Sequence, residues 1–75
     1  FLPVLANISL VDEETGRGLI GGLIETHRST AERVDRLIPA YERIEARATM
    51  KLCADTYRLV AKHLEQFEKD LYGNA

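Results

Sequence analysis

Apolar side chains recur along two stretches of this chain in alternating steps of four and three residues. The first stretch is Ile20, Ile24, His27, Ala31, Val34 and Ile38; the second is Ala46, Met50, Cys53, Tyr57, Val60, Leu64, Phe67 and Leu71. A repeat averaging 3.5 residues keeps one narrow seam of a helix against a neighbour, so the spacing predicts two helices with coiled-coil-type packing surfaces. The first helix is expected over 12–37. Asp12 offers an N-cap, Glu13 and Glu14 suit the positive end of the helix dipole, and Arg28, Arg33 and Arg36 suit the other end. Gly16, Gly18, Gly21 and Gly22 weaken its first half, each by about 0.5 to 1 kcal/mol relative to Ala. A break near 16–18, with the helix starting at Leu19, therefore competes with a continuous helix in which Gly18 and Gly22 share one face open to another backbone.

Pro39 removes a backbone donor and drives Ile38 out of the α region, yet proline is also favoured at the first helical position. The second helix is accordingly expected over 39–72, with Gly73 as its stop. Leu37-Ile38-Pro39-Ala40-Tyr41 contains none of the usual turn residues, so a single rod kinked at Pro39 is the competing arrangement. The pattern as a whole predicts an all-α fold, two long helices in an antiparallel hairpin, forming one domain over 1–75. A flanking row on the second helix, Ile44, Ala48, Leu52, Leu59 and His63, widens its apolar stripe beyond what one neighbour buries. The simplest cover is a second copy, giving a homodimeric four-helix bundle; the helices of another protein would satisfy the same surface.

The opening segment 1–11, FLPVLANISLV, is apolar but about half the ~20 residues that a membrane span needs. It lacks the basic flank and small-residue cleavage pattern of a secretory signal. Pro3 and Asn7 point to an extended or briefly helical arm. Leu2, Val4 and Leu5 on that arm either pack on the bundle itself or dock into a partner's groove.

Composition narrows the chemistry. At 75 residues the chain is at the size where a fold usually needs a disulfide, a metal or a partner subunit. Its one cysteine excludes an internal disulfide. Cys53 lies on the seam, where a buried, inert thiol is expected, and such cysteine usage suits the cytoplasm. Ten basic residues are interleaved with twelve acidic ones, net charge -2, so no phosphate-binding face and no direct nucleic-acid contact is expected. His27 and His63 have no carboxylate three or four residues away on their own helices, the spacing that metal sites in bundles use. Ser9 and Ser29 have no neighbouring base, and Gly18 to Gly22 lack the spacing of a phosphate loop. No cofactor, no metal and no enzymatic activity is expected.

Ile24-Glu25-Thr26-His27-Arg28, followed by Glu32-Arg33, Asp35 and Leu37, resembles the first long helix of the TraM family of quorum-sensing antiactivators of rhizobial and agrobacterial conjugative plasmids. Pro3, at its distance from His27, resembles the arm that precedes that helix, and Ile44-Glu45-Ala46 with Met50 is similar to a stretch of the family's second helix. The resemblance covers about half the chain. It implies a small all-helical homodimer that binds a LuxR-type transcriptional activator and stops it from binding promoter DNA, by protein contact alone. The alternative expectation is a helical dimerisation or adaptor module of a larger assembly.

Overall fold

The structure is a computed structural model and describes residues 12–73. The expectations for the arm, including Leu2, Val4 and Leu5, lie outside the described residues. Helix α1 spans Glu13–Leu37, a short 3-10 turn spans Ile38–Ala40, and helix α2 spans Ile44–Tyr72.

The start of α1 is fixed by Asp12. Its carboxylate accepts from the Thr15 backbone N–H at 2.8 Å and from the Thr15 hydroxyl at 3.0 Å, while Glu13 and Glu14 occupy the first turn. The first bond satisfies a donor that the helix cannot satisfy itself, and both hold the Asp12 carboxyl below its ordinary value, the Thr15 N–H being the larger cause. The glycines do not break α1, which is continuous from Glu13. Among the described residues no backbone approaches Gly18 or Gly22: a Cβ added at either would meet none of their atoms within 4 Å.

Pro39 ends the first helix and starts no second one, which corrects the expected 39–72 helix; Ile38 before it keeps α-region backbone (φ -53°, ψ -47°), which corrects the expectation that the proline would drive it out. The proline sits in the 3-10 turn, where the Tyr41 N–H donates to Ile38 O at 3.1 Å, and the backbone is extended at Tyr41 and at Arg43. The α conformation resumes only at Ile44. Arg43 offers no side-chain cap to α2; instead Arg47 reaches back from the first turn, its Nε donating to Tyr41 O at 2.6 Å. The extended residues supply the reversal, and α2 returns along α1 as an antiparallel hairpin, which sets aside the kinked rod.

Two ion pairs state the register. Arg28 pairs with Glu65 and Asp35 with Arg58, so seven residues forward on α1 match seven residues back on α2. Seven residues are two helical turns, which keeps both pairs on one flank. Between the helices lies a small core: Ile20, Ile24, Ala31, Ala54, Ala61 and Leu64 are buried, and Ile20 is its largest fully enclosed side chain. In this register Ala31 comes level with Ala61, and two small residues opposite one another let helix axes approach closely. At its far end Arg17 closes the hairpin. Its guanidinium donates to Tyr72 O at 3.0 Å, lies 5.3 Å from the Tyr72 ring centroid, and is held by Glu13 at 2.9 Å.

Candidate protein-binding surface

On α1 the structure places the seam residues Ile20, Ile24, His27 and Ala31 in the interior and leaves Val34 and Ile38 half-buried. On α2 the expected seam is divided between the interior and the surface of the hairpin. Cys53 and Tyr57 are exposed and Val60 is only half-buried; the residues facing α1 are Ala54, Ala61 and Leu64, with Ala46, Met50, Phe67 and Leu71 half-buried. The inner face is turned towards Ala54 and Ala61 by less than one residue's ~100° step, since Leu64 belongs both to the heptad of bulky side chains and to the interior. Ala54 and Ala61, 0% and 1% exposed, occupy the inner position, and adding methylenes to such enclosed sites is destabilising.

This rotation turns Cys53, Tyr57 and Val60 onto one flank of the hairpin. Together with His27, Leu52 and Thr56 they line an open groove of about 450 Å³. None of the six carries a fixed charge. The Thr56 hydroxyl donates to Leu52 O at 2.8 Å within its own helix, so its polar atom is satisfied and its methyl group is what remains to line the groove. His27 forms the floor. It is 8% exposed, its Nδ1 lies 2.7 Å from Leu23 O, and its ring is tilted 54° to that of Tyr57 at a centroid distance of 5.8 Å. An imidazole donating Nδ1–H to a carbonyl of its own helix is fixed in orientation, which makes the groove's floor rigid.

The opposite flank carries a groove of similar size, about 430 Å³, lined by Arg28, Glu32, Arg58, Lys62 and Glu65. Every one of these side chains is charged. The two cross-helix ion pairs run along this flank, and Asp55 joins Arg58 at 3.3 Å. One side of the hairpin is therefore dressed for water and the other is not.

A third surface lies along the back of α2. Ile44 is 79% exposed, Leu52 67% and Leu59 52%, and Ala48 and His63 are exposed with them. Leu52 and Leu59 each precede a buried alanine, Ala54 and Ala61, by two residues, which is about half a turn, so this row points away from α1. The whole body measures 48 × 23 × 15 Å. Its shortest dimension is close to the 10 to 12 Å diameter of a single helix, whereas stable domains stack two layers around one core.

Among the described residues no group of three His, Cys, Asp or Glu side chains is placed to hold a metal ion, and no helix is long and apolar enough to cross a membrane. What the arrangement offers is an uncharged groove of about 450 Å³ on one flank and a charged one on the other. Sequence reasoning missed Ala54 and Ala61 as seam residues. The signal for them was present in charge order: Arg28 precedes Asp35 by seven and Arg58 precedes Glu65 by seven, and only an antiparallel pairing matches both. Comparison with models of known protein families, with curated proteins and with solved structures finds no match to this chain.

Proposed function

We propose that this chain is a protein-binding regulator: it packs an apolar helix or strap of a target into the uncharged groove between α1 and α2, and the target is a LuxR-type transcriptional activator kept off its DNA. The observation that carries protein binding is the groove of His27, Leu52, Cys53, Thr56, Tyr57 and Val60, an apolar surface on a body one helix thick. Buried apolar surface contributes about 25 cal/mol per Å², and such a groove is the kind into which a partner helix lays its apolar face. The choice of target rests on the resemblance around Ile24 to Leu37. The mechanism is occupation. No bond is made or broken and no cofactor takes part, and the act belongs in the cytoplasm, where activator and promoter meet. With net charge -2 and basic residues alternating with acids, the chain has no attraction of its own for DNA.

A gel-shift assay tests this. Purified protein should remove a LuxR-type activator from its promoter fragment and give no shift alone. Val60→Glu, which places a charge in the groove, should weaken the removal at least tenfold while helicity is kept. Leu2→Ser and Leu5→Ser report whether the arm takes part. Unchanged activator binding at excess protein would reject the regulator and leave a helical assembly module.

A further inference from the structure

The uncharged flank does not stop at the groove. Counted at about 100° per residue from His27, Gly16, Leu19, Leu23 and Thr26 fall on one side of it, within about 100°, whereas Arg28, Glu32 and Asp35 fall on the other. No charged residue between Thr15 and Thr30 interrupts that first side. Leu19, 47% exposed, and the half-buried Leu23 lie on it. On α2 the half-buried Val60, Phe67 and Leu71 fall within about 80° of Tyr57 on its groove side, and together with Leu23 they pack on the edge of the core. An apolar track therefore runs from the open end of the hairpin, where α1 begins and α2 ends, to the groove. The chain itself enters at the head of that track. Asp12, which joins segment 1–11 to α1, lies fifteen residues before His27 and about 60° round the helix from it, on the side away from Arg28.

We infer that segment 1–11 is an intramolecular strap, which runs back along this track and seats Leu2, Val4 and Leu5 in the groove when no target fills it. Length and charge both carry this. Fifteen residues of helix put His27 about 22 Å from Asp12. Extended chain rises about 3.3 Å per residue, so Leu5, seven residues before Asp12, reaches ~23 Å and comes level with His27. Val4 and Leu2, at about 26 and 33 Å, pass Tyr57 towards Cys53 and Leu52. The eleven residues include no charged side chain. On the opposite flank they would strip water from arginine and glutamate side chains, whereas the track asks for no such loss. Pro3 has no backbone donor to bury and disfavours the α region at Leu2. The tether at Asp12 presents the segment to the groove at an effective concentration on the order of millimolar, an advantage that an untethered partner lacks. The strap deepens the regulator proposed above and rests on it for its consequence: a target gains the groove only by displacing the arm, and its apparent affinity falls with the fraction of open grooves.

The thiol of Cys53 lines the groove and reports its cover. In the full chain, Val4→Cys should form a disulfide with Cys53 under oxidised glutathione, read as the loss of both thiols in a product of single-chain mass. In a Cys53→Ser background, Val4→Cys combined with Lys62→Cys, on the charged flank, should keep its thiols. Leu2→Asp with Leu5→Asp should raise the rate at which a neutral maleimide labels Cys53 by at least about fivefold, with helicity unchanged. The same pair should lower, by at least about threefold, the concentration that clears an activator from its promoter fragment, whereas an arm that docks on the activator itself would raise it. Equal labelling of Cys53 in the parent and the Asp pair overturns the strap. So does a Val4→Cys product of doubled mass, which would place the arm on a second copy. Should the Asp pair lose helicity, the Val4→Cys disulfide decides alone. The thiol measurements need no activator, so a chain that binds none loses the regulator and keeps the strap.

Discussion

The two flanks of the hairpin are built from the same two helices at the same register, and they differ in almost everything else. One carries Arg28–Glu65 and Arg58–Asp35, with Glu32 and Lys62 alongside. The other carries His27, Cys53, Tyr57 and Val60 and no fixed charge. The ion pairs add little stability, because exposed pairs contribute only about 0.2 to 1 kcal/mol each. Their use is to select: they make one register and one solvent side favourable, and a wrong slip would bring like charges together. With the register fixed by charge, the other flank is free to be apolar without letting the helices slide. The difference teaches that half of this molecule's surface specifies the fold and the other half is left for cover.

The largest effect should come from the thin seam between the flanks. Leu64, 4% exposed, belongs to a small core with Ile20, Ile24 and Ala61, and Leu64→Ala should cost about 2 to 5 kcal/mol. Ala61→Leu should cost about 1 to 3 kcal/mol by overpacking the site level with Ala31. Cys53→Ala, one residue from Ala54 but on the open flank, should change stability by under about 0.5 kcal/mol. Urea unfolding of the three variants decides it: a Cys53→Ala loss equal to that of Leu64→Ala would restore Cys53 to the seam and erase the distinction between flank and core.

How much of this is legible in the chain depends on side-chain size. Along α1 the seam is made of Ile20, Ile24, His27 and Ala31, mostly bulky, and the spacing alone places them inside. Along α2 bulky residues cover well over half the helix circumference, so the heptad can be drawn through Cys53 and Val60 or, one residue on, through Ala54 and Ala61 with nearly equal merit. Periodicity cannot choose between two such faces, because it scores apolar character and not the distance between axes. The extra apolar row of Ile44, Leu52 and Leu59 is visible for the same reason that the seam is ambiguous. Pro39 ends α1, as its chemistry predicts, but does not start α2. Its fixed φ suits a first helical turn of either type, and the path of the backbone beyond it is decided by Tyr41 to Arg43, which have no strong preference of their own.

The charged flank should respond on a smaller scale and in a way the apolar flank cannot. Arg58 pairs with both Asp35 and Asp55, so Arg58→Ala should cost about 0.2 to 1 kcal/mol at low salt. The loss should largely vanish near 1 M salt, where the screening length is about 3 Å. A double-mutant cycle with Asp35→Ala isolates the cross-helix part. A loss that persists at high salt would mean that Arg58 acts through packing of its aliphatic stem, and the two flanks would then be less different than their charges suggest.

The cap of α1 lies on neither flank and so calibrates both. Asp12 has its carboxyl held below the ordinary value of 3.8 by the Thr15 N–H and then by the Thr15 hydroxyl. A group whose folded value is depressed contributes stability that is fully present above the unfolded value and is lost as the pH falls through the folded one. The cap should therefore be intact at pH 5 to 7, begin to weaken below about 4, where an unfolded aspartate takes up its proton, and be gone once the folded carboxyl is protonated too. Protection of the Thr15 amide, measured against unstructured peptide at the same pH, should fall over that acid range in the parent chain and should be low throughout it in Asp12→Ala. Asp12→Asn, which keeps a side-chain acceptor without the charge, should fall between them at neutral pH. An acid-dependent fall in protection that survives in Asp12→Ala would assign the effect to Glu13 or Glu14 and the helix dipole instead of to the cap.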